Sequence, residues 1–415
     1  MMKKNIKKPE ILSPAGNFEK LRFASLYGAD AVYFASDMFG MRAMTDNFKK
    51  DELIGAVDYL HAFSKKAYIT LNTMPRSEEI PLLEEYLEVI NEAKPDAVIV
   101  ADMGVFALAR KKLENVDIHI STQGANMNYL SCRAWHDMGA SRVVLARELS
   151  LDDIALIRAK TPSTLELEAF VHGAMCVSVS GRCLLSEYYT GRDANRGACA
   201  QPCRWVYKFH EEKRPDDVLT AEIQPEGTYI FGSKDMNMIS HIPELVSAGI
   251  DSFKIEGRMK SAYYTAVTTN AYRMALDAYF NNTLDENLIS SLENELLSVS
   301  HRQYCTGYFF SHVKDEPNLA SHVGYEREKA FLATVEEYNP ETRRAVCRQR
   351  NKTVCGETVE VLTPNSVGRA FQITVMYNDK GERVDSAPHA QMLFEIDSPF
   401  EMKKGDILRA SKIAI

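Results

Sequence analysis

The sequence predicts an α/β protein: a (β/α)8 TIM-like barrel with a large Cys-rich insert after strand seven, followed by a small C-terminal all-β barrel domain. Three observations predict this fold: repeated helix-then-strand junctions, eight short apolar strand candidates, and a change to short alternating strands after about residue 325. The chain has 415 residues, and one such barrel takes about 250 residues or more. The length therefore suits a barrel with an additional domain.

Three junctions repeat the same order of helix, glycine and strand. A helical pattern ends at Gly28, Gly139 and Gly249, and an apolar stretch begins soon after each of them. Pro95 ends a helical pattern in the same way before the stretch 97–100. Glycine ends helices because it adopts a left-handed backbone conformation easily. Such junctions predict parallel strands joined by helical crossovers.

Eight segments are strand candidates, and helix-length segments separate most of them. They are residues 10–13, 31–35, 67–72, 97–101, 117–122, 142–146, 165–171 and 252–256. Eight parallel strands fit a closed barrel better than an open doubly wound sheet. The open sheet remains an alternative, because it requires only one or two of these assignments to be wrong.

The C-terminal part of the sequence has a different pattern of polar and apolar residues. Short segments of alternating polarity follow one another between turn sequences such as Asn339-Pro340 and Lys404-Gly405-Asp406. The predicted strands are residues 331–336, 344–348, 358–362, 371–377, 392–396 and 407–410. We therefore divide the chain into 1–324, a barrel with a cysteine-cluster insert (172–233) and a trailing helix (285–302), and 325–415, a C-terminal β-barrel domain.

Composition and charge limit the class of protein. The net charge of −8 argues against wholesale electrostatic capture of nucleic acid but is compatible with a local basic surface. The N-terminal lysines are not followed by the apolar segment of a secretory signal, and no window is apolar enough to span a membrane. We expect a soluble, cytoplasmic protein, in which clustered cysteines more often bind metal or act in catalysis than form disulfides.

Four of the eight cysteines lie close together: Cys176, Cys183, Cys199 and Cys203. The intervals are C-x6-C, C-x15-C and C-x3-C, and glycines are interleaved with them. Thiolates gathered on a glycine-rich loop predict a metal centre, against the alternative of buried free thiols. Structural zinc favours closely paired cysteines and iron–sulfur clusters accept irregular spacing, so the spacing alone leaves the two metals nearly even.

Polar residues collect at the carboxyl-terminal ends of the predicted barrel strands, where barrel enzymes bind their substrates. Arg147 and Arg258 could bind a carboxylate or phosphate through paired hydrogen bonds. His172 could transfer protons near neutral pH, and Glu256 lies beside Arg258 in the sequence. The same strand ends carry Ser13, Asn72, Asp102, Gln123, Asn126, Glu148, Glu168 and Lys254. For any one of them, the alternative is a solvated loop residue or a salt bridge inside the barrel.

A basic segment lies in the predicted C-terminal domain. Arg343, Arg344, Arg348, Arg350 and Lys352 place five cations within ten residues. If 344–348 is a strand, alternation places Arg344 and Arg348 on one face. A solvated charged face is one interpretation, and a contact with an RNA backbone is the second.

Hydrolase signatures are weakly represented. The sequence contains no Gly-x-Ser-x-Gly, His-Glu-x-x-His or P-loop motif. A cysteine peptidase could use Cys176 and His172, but these residues are four positions apart on one segment, and the neighbouring cysteines would compete. Hydrolytic chemistry therefore has little support from the residues themselves.

The segment 168–186, EAFVHGAMCVSVSGRCLLS, resembles the signature of the collagenase-like peptidase family. The family pattern is Glu-x-Phe-x-x-Gly-Ala-x-Cys-x4-Gly-x-Cys. Agreement extends to SPAG (13–16), GADAVY (28–33), QPCR (201–204), SKD (233–235) and KIEGR (254–258). The resemblance covers about residues 9–275, and the C-terminal part is similar to the family's C-terminal β-barrel domain.

The resemblance implies a hydroxylase rather than a peptidase. Relatives of this kind hydroxylate transfer-RNA wobble uridine, a ribosomal RNA cytidine or a ubiquinone precursor without oxygen. The present length and domain order are most similar to the transfer-RNA branch, which makes 5-hydroxyuridine with prephenate as co-substrate. The family then implies a 4Fe-4S cluster held by Cys176, Cys183, Cys199 and Cys203. Some relatives take a ligand near the SKD motif, where this chain has Met236.

The implied partners are transfer RNA and prephenate, with no membrane, and a homo- or hetero-oligomer with a family relative stays open. The candidate catalytic residues are Arg147, His172, Glu256 and Arg258, with the two arginines as candidates for the carboxylates of prephenate. The β-domain is a candidate for docking the anticodon arm. Three competing functions stay open: a collagenase-like peptidase, a hydroxylase of another RNA or of a quinone precursor, and an RNA-binding or scaffold protein with structural zinc.

Overall fold

The computed structural model describes residues 6–40, 47–176, 185–192, 198–202, 209–211, 214–219, 223–224, 227–228, 234–311 and 326–411. The chain divides into two units. The first comprises Met1–Ser25, Ala29–Lys260 and Arg302–Tyr325, and the second comprises Leu26–Gly28, Ser261–His301 and Glu326–Ile415. The sequence-based boundary between residues 324 and 325 stays a prediction.

Eight parallel strands of the first unit close into a barrel. The strands of this unit are β1 (Glu10–Pro14), β2 (Ala31–Phe34), β3 (Lys66–Leu71), β4 (Ala97–Val100), β5 (Asp117–Ile120), β6 (Arg142–Val144), β7 (Glu166–Ala174), β8 (Phe209–Glu211), β9 (Arg214–Leu219), β10 (Ile223–Gln224), β11 (Gly227–Thr228), β12 (Asp235–Asn237), β13 (Ser252–Ile255) and β14 (Tyr304–Cys305). The strands β1 to β7 pair in sequence order, and β13 pairs in parallel with both β1 and β7. This closure confirms the predicted (β/α)8 barrel and excludes the open sheet.

The barrel strands lie close to the segments that the sequence predicted, and their burial explains why. Every residue of β2, β4, β6 and β13 is buried. Parallel strands beneath helices are buried on both faces, so their sequences are short continuous apolar runs rather than alternating polar and apolar residues. Such runs stand out between longer amphipathic segments.

Helices surround the barrel, and side-chain caps begin several of them at its carboxyl-terminal end. The helices of this unit are α1 (Phe18–Leu26), α2 (Lys50–Ala62), α3 (Ile80–Ala93), α4 (Met103–Lys112), α5 (Tyr129–Asp137), α6 (Leu151–Lys160), α7 (Leu185–Thr190) and α8 (Ile242–Ser247). Asp102, Asn128 and Ser150 accept hydrogen bonds from backbone N–H groups in the first turns of α4, α5 and α6. These N–H groups have no partner within the helix, so the caps fix where the loops of the barrel mouth end.

The strand β7 is longer than predicted. The sequence predicted residues 165–171, whereas β7 continues to Ala174. Its last residues pair antiparallel with β12, with His172 opposite Asn237 and Gly173 opposite Met236. The strand β14 extends the sheet on the far side of β12. His172 is therefore a strand residue, and the chain leaves the sheet only after Ala174.

The second unit contains an antiparallel β domain, as predicted. Its elements are α9 (Ala262–Phe280), α10 (Glu286–Leu297), β15 (Phe331–Asn339), β16 (Arg344–Gln349), β17 (Thr353–Val354), β18 (Thr358–Leu362), β19 (Arg369–Gln372), β20 (Met376–Asn378), β21 (Ser386–Ala387), β22 (Leu393–Asp397) and β23 (Ile407–Ala410). The main sheet has the order β19-β18-β23-β15-β16-β22-β20. Its apolar core includes Val335, Cys347, Val359 and Phe394. The predicted trailing helix over 285–302 corresponds to the shorter α10.

The prediction of one strand over residues 371–377 is wrong. β19 ends at Gln372, and β20 begins at Met376. The backbone N–H of Ile373 donates to the carbonyl of Glu357 at 3.0 Å, and the Ile373 carbonyl accepts from Gly356 at 2.7 Å. These bonds hold the backbone against the turn at 356–357, so the chain leaves the strand although Ile373 is apolar and buried.

None of the helices in the described part of the chain is long and apolar enough to cross a membrane.

Candidate active site at the barrel mouth

The predicted catalytic residues all lie at the carboxyl-terminal ends of barrel strands. Arg147 follows β6, His172 lies in the extended part of β7, and Glu256 and Arg258 follow β13. In parallel barrels these ends meet at one rim, where loops from several strands can bind one substrate. Their catalytic roles stay predictions, but their positions can be described one by one.

The hydroxyl of Tyr33 on β2 donates a hydrogen bond to the backbone carbonyl of Ile255 at 2.9 Å. Burial raises the pKa of Tyr33 above its usual range, and the negative charge of Glu256 raises it further. The positive charges of Arg258 and Arg147 act in the opposite direction. Arg147 follows β6, and Glu256 and Arg258 follow β13, so the fold places these three predicted residues at the same end of the barrel.

Arg147 is half-buried between a carbonyl group and an aromatic ring. Its Nη1 donates to the backbone carbonyl of Ala174, and its guanidinium carbon lies 3.8 Å from the centroid of the Phe170 ring. Its Nε is buried and has no hydrogen-bond partner within the described residues. Neither the carbonyl nor the ring supplies a full negative charge, so Arg147 is suited to bind an anionic group.

Arg258 is buried, with 5% of its surface exposed. Its Nη1 donates to the Thr70 hydroxyl and its Nη2 to the side-chain carbonyl of Asn47, both at 3.2 Å. Its backbone carbonyl accepts a hydrogen bond from Lys20 Nζ at 3.2 Å. Contacts with two separate segments orient the guanidinium group, and the contact with Lys20 holds the backbone, which is the condition for directional binding of a carboxylate.

His172 is buried in the sheet, with 1% of its surface exposed. Its ring centroid lies 5.5 Å from that of Tyr304, and its backbone carbonyl accepts a hydrogen bond from the Glu256 N–H at 2.9 Å. His172 therefore helps to fix the position of Glu256 at the rim. A role in proton transfer stays a prediction.

A network of buried charges lies inside the barrel. Lys254 Nζ is 2.7 Å from Glu168 Oε1, and Arg142 Nη1 is 3.0 Å from the second oxygen of Glu168. Arg142 also pairs with Glu10 at 2.7 Å and with Glu166 at 2.6 Å. Burial lowers the pKa of Lys254 and the charge of Glu168 opposes this shift. For Glu168 and Lys254, the structure therefore shows the alternative interpretation, a salt bridge inside the barrel.

Two aromatic residues of the site were not among the predicted ones. Tyr33 lies beneath Lys254, whose Nζ is 4.6 Å from the ring centroid, and Phe170 lies 5.4 Å from the same nitrogen. A signal for Phe170 was present in the sequence, because it stands two residues from both Glu168 and His172 on one strand. Residues two apart share a face of a strand, so the polar neighbours place Phe170 inside the barrel.

Two of the four predicted cysteine ligands lie within the described residues. Cys176 is exposed and follows β7 by two residues. Cys199 is partly buried, and its sulfur accepts a hydrogen bond from the Gln201 N–H at 3.4 Å. Cys183 and Cys203 lie outside the described residues. The joint ligation of a metal by all four cysteines therefore stays a prediction.

Cys176 and Cys199 supply the sulfur donors that a thiolate-bound metal requires. Within the described residues, no group of three or more His, Cys, Asp or Glu side chains is placed to hold a metal ion. The N–H of Gln201 donates to the Cys199 sulfur, and hydrogen bonds to ligand sulfur atoms are a common feature around iron–sulfur clusters. The donor set is sulfur, which suits zinc or iron.

Two of the five cations in the basic segment of the C-terminal domain pair with carboxylates. Arg344 and Arg348 share the partly exposed face of β16, as alternation predicted. Arg344 Nε lies 3.1 Å from Asp397 Oδ1, and Arg348 Nε lies 2.7 Å from Glu336 Oε1. These carboxylates reduce the positive potential of that face. For these two arginines the structure favours the solvated charged face over the RNA-backbone contact.

The model of Peptidase family U32 matches residues 16–318, and the model of the Peptidase family U32 C-terminal domain matches residues 327–409. The chain belongs to Peptidase family U32. The matched regions correspond to the barrel with its insert and to the antiparallel β domain.

Relatives in this family carry three kinds of name. The chain is 36% identical to tRNA hydroxylation protein P of Haemophilus influenzae, over 92% of this chain and 91% of that protein. It is 37% identical to a 23S rRNA 5-hydroxycytidine synthase of Escherichia coli, over 65% of this chain and 39% of that protein. It is 32% identical to a protein named collagenase from Porphyromonas gingivalis, over 79% of this chain and 80% of that protein.

Proposed function

We propose that this protein is an RNA hydroxylase that converts the wobble uridine of transfer RNA to 5-hydroxyuridine, without oxygen and with prephenate as co-substrate. The observation that carries the proposal is the 36% identity to a tRNA hydroxylation protein over nine-tenths of both chains. A match of that length includes the barrel, the insert and the β domain. A cytoplasmic location and an oligomer with a family relative remain part of the same hypothesis.

The cofactor in this proposal is a 4Fe-4S cluster held by Cys176, Cys183, Cys199 and Cys203. Such a cluster would supply one-electron chemistry at the barrel mouth. Cys176 lies two residues beyond β7 and is exposed, which leaves its sulfur accessible to a metal centre. The N–H of Gln201 donates to the Cys199 sulfur, and hydrogen bonds to ligand sulfur atoms are among the interactions that tune such clusters.

The proposed co-substrate site lies around Tyr33. Prephenate carries two carboxylates, and Arg147 and Arg258 follow two strands, β6 and β13, that end at the same rim of the barrel. Thr70 and Asn47 orient the Arg258 guanidinium, while Ala174 and Phe170 hold that of Arg147. Two fixed guanidinium groups can bind two carboxylates and orient the molecule between them. Glu256, fixed by the carbonyl of His172, is the proposed proton acceptor, and His172 supports it.

The first experiment is purification without oxygen, followed by measurement of iron, acid-labile sulfide and zinc. We expect about four irons and four sulfides per chain, which is the composition of a 4Fe-4S cluster. The matched variant is Cys176→Ala/Cys199→Ala, which should lose iron and sulfide and remain folded. Zinc alone, or a folded preparation without metal, would contradict the proposed cofactor.

The second experiment tests the substrate. Transfer RNA from a strain that lacks the gene should lose 5-hydroxyuridine, and re-expression of the protein should restore it. If instead ribosomal RNA loses a hydroxylated cytidine, the reaction class holds and the substrate is corrected. Unchanged nucleosides in both RNAs would refute RNA hydroxylation.

A peptidase is the second candidate, because one relative over four-fifths of the chain is named collagenase. This function requires a cysteine nucleophile that is free of metal. It predicts cleavage of denatured collagen by metal-free protein and loss of cleavage in Cys176→Ala. No cleavage by the metal-free protein would remove this candidate.

A further inference from the structure

Two adjacent tyrosines in the insert are exposed to an unusual degree. Tyr188 and Tyr189 lie on α7, and 82% and 45% of their surfaces are exposed. The two rings contact each other edge-to-face, with centroids 5.1 Å apart and an interplanar angle of 83°. Among the large hydrophobic residues of the described chain, Tyr188 is the most exposed. Large exposed aromatic surfaces of this kind mark sites of interaction.

The helix that carries the tyrosines is attached to the segment that follows Cys199. The buried Ser186 hydroxyl accepts a hydrogen bond from the Ala200 N–H at 2.9 Å. The Thr190 hydroxyl donates to the Ser186 carbonyl at 2.6 Å and accepts from the Arg192 N–H at 3.2 Å. The first turn of α7 is thereby connected to the segment 198–202, and the Thr190 bonds close the helix at its other end. The aromatic pair is presented from the same segment as a predicted cluster ligand.

The part of the insert that contains the four cysteines differs in sign of charge from the chain. Between residues 176 and 205 the sequence has four arginines and two carboxylates, which gives +2, against −8 for the whole protein. Arg192 stands two residues after the end of α7. Exposed aromatic rings with neighbouring cations are the surface that unpaired nucleic-acid bases recognise, since a base stacks on the ring while the phosphate meets the cation.

Exposed apolar side chains also follow two barrel strands at their carboxyl-terminal ends. Met103 at the start of α4 follows β4, Met127 and Leu130 follow β5, and all three side chains are exposed. These residues are compatible with an interaction surface at the end of the barrel where the parallel strands terminate.

We propose that Tyr188 and Tyr189 form a stacking platform for unpaired RNA bases that flank the nucleotide to be hydroxylated. This inference rests on the proposed function, because it takes RNA as the substrate. Stacking on an aromatic ring tolerates any base, so the platform would position an RNA loop without reading its sequence. The tyrosines would be positioning residues, and the chemistry would take place at the barrel mouth.

The test compares the unaltered protein with its variants in binding to an anticodon stem–loop RNA. This RNA carries 2-aminopurine next to the target uridine. The variants are Tyr188→Ala and Tyr189→Ala, and the ring-preserving controls are Tyr188→Phe and Tyr189→Phe. Phe63→Ala removes another exposed ring, 56% exposed and located after α2 at the opposite end of the barrel. Iron content is measured for each, so that damage to the cysteine loop is detected.

We expect each alanine variant to bind the RNA about tenfold more weakly, the lower part of the range for loss of one stacked base. Stacking quenches 2-aminopurine, so its fluorescence should rise in the alanine variants and stay quenched in the phenylalanine variants. Phe63→Ala should behave as the unaltered protein. If an alanine variant loses iron, Tyr188→Leu decides, because it keeps an apolar side chain without an aromatic face.

Unchanged affinity and unchanged quenching in the alanine and leucine variants would overturn the platform while leaving RNA hydroxylation intact. Phenylalanine variants as weak as the alanine ones would also overturn it, because the hydroxyl would then be responsible. Loss of self-association with full RNA affinity would identify the pair as a protein interface instead. No RNA binding by the unaltered protein would refute this inference together with the proposed function.

Discussion

Phe170 lies close to two cations at the barrel mouth, with the Arg147 guanidinium 3.8 Å and the Lys254 ammonium 5.4 Å from its ring centroid. The two cations differ in their partners. Lys254 pairs with Glu168 at 2.7 Å, whereas the described contacts of Arg147 are a carbonyl and a ring. The site therefore contains one cation with a structural role, Lys254, and one cation that can bind a ligand, Arg147. Removing one partner of a buried ion pair is strongly destabilising, whereas a cation whose described contacts are a carbonyl and a ring can still attract an anionic ligand.

Arg258 provides the sharpest test of the co-substrate site. We predict that Arg258→Ala reduces 5-hydroxyuridine formation at least about 100-fold, because removal of a directional anion contact misplaces the co-substrate. Arg258→Lys should retain a small part of the activity, since lysine keeps the charge but not the planar fork. The measurement is the 5-hydroxyuridine content of transfer RNA after complementation of the deletion strain.

Cluster content and the melting temperature serve as controls for the Arg258 variants. The iron content should be unchanged, because the described side-chain contacts of Arg258 are with Thr70 and Asn47. Normal product levels with Arg258→Ala would refute its role in the reaction.

The lowered pKa of Glu166 leads to the prediction that the stability of the fold depends on pH. Burial raises the pKa of Glu166, but the charge of Arg142 and a hydrogen bond from Lys7 outweigh burial and lower it to about 2. The pKa of an unfolded glutamate is about 4.3. A lowered folded pKa means that this contribution is fully present above the unfolded value and is lost as pH falls toward about 2.

The matched variant for that prediction is Glu166→Gln. The free energy of unfolding of the unaltered protein should exceed that of the variant at pH 6, and the difference should narrow between about pH 5 and pH 2. Urea denaturation at a series of pH values measures it. A difference that stays constant over this range would show that the charge of Glu166 does not stabilise the fold.

At the scale of elements, β7 is the strand that connects the interior of the barrel to the site. It carries Glu166 and Glu168 in the charge network, then Phe170 and His172 near the mouth, and Cys176 follows it. The sequence predicted its existence because the run is apolar and strand-like. Its extension to Ala174 depends on pairing with β12, a three-residue strand too short to recognise by pattern. Long-range partners of that kind are absent from local sequence.

Elements in the second unit are joined by a buried ion-pair network, which gives a further prediction. Arg409 on β23 is fully buried, with Nη1 2.6 Å from Glu295 on α10 and Nη2 2.7 Å from Glu360 on β18. Arg409→Ala leaves two carboxylates without their shared partner, so we expect a loss of about 3–5 kcal/mol in unfolding free energy.

The control is Arg348→Ala, which removes an arginine that is 36% exposed and paired with Glu336. An exposed pair contributes about 0–1 kcal/mol. Thermal denaturation followed by circular dichroism compares the two variants. Equal effects of Arg409→Ala and Arg348→Ala would contradict the argument that burial of the network determines its contribution.

For the whole molecule, local patterns were sufficient for the strands of the barrel but not for its closure. Glycine stops and short apolar runs located all eight strands, because each reflects the conformation of its own residues. Closure requires β13 to pair with β1 and β7, which are distant in sequence. That closure places Glu256 and Arg258, which follow β13, at the same rim as Arg147, which follows β6. The sequence could predict each site residue separately, but only the three-dimensional fold places them at one end of the barrel.

The division of the molecule gives the last prediction. The sequence places the boundary between residues 324 and 325, whereas the second unit of the structure also contains Ser261–His301. The grouping has a physical basis, because Arg409 pairs with Glu295 on α10 and the Tyr263 ring stacks on Phe331 with centroids 5.5 Å apart. A fragment of residues 326–411 loses both contacts, whereas a fragment of residues 261–411 keeps them.

We therefore expect the longer fragment to melt at a higher temperature than the shorter one and to remain more soluble. Without α10, Arg409 keeps Glu360 but loses its pair with Glu295, and the desolvated charge is no longer fully compensated. Arg409→Met in the shorter fragment should recover part of the difference, because methionine needs no charged partner, and the same substitution should destabilise the longer fragment by leaving Glu295 buried. Equal melting temperatures of the two fragments would instead support the sequence-based boundary, with the antiparallel sheet as a self-sufficient domain.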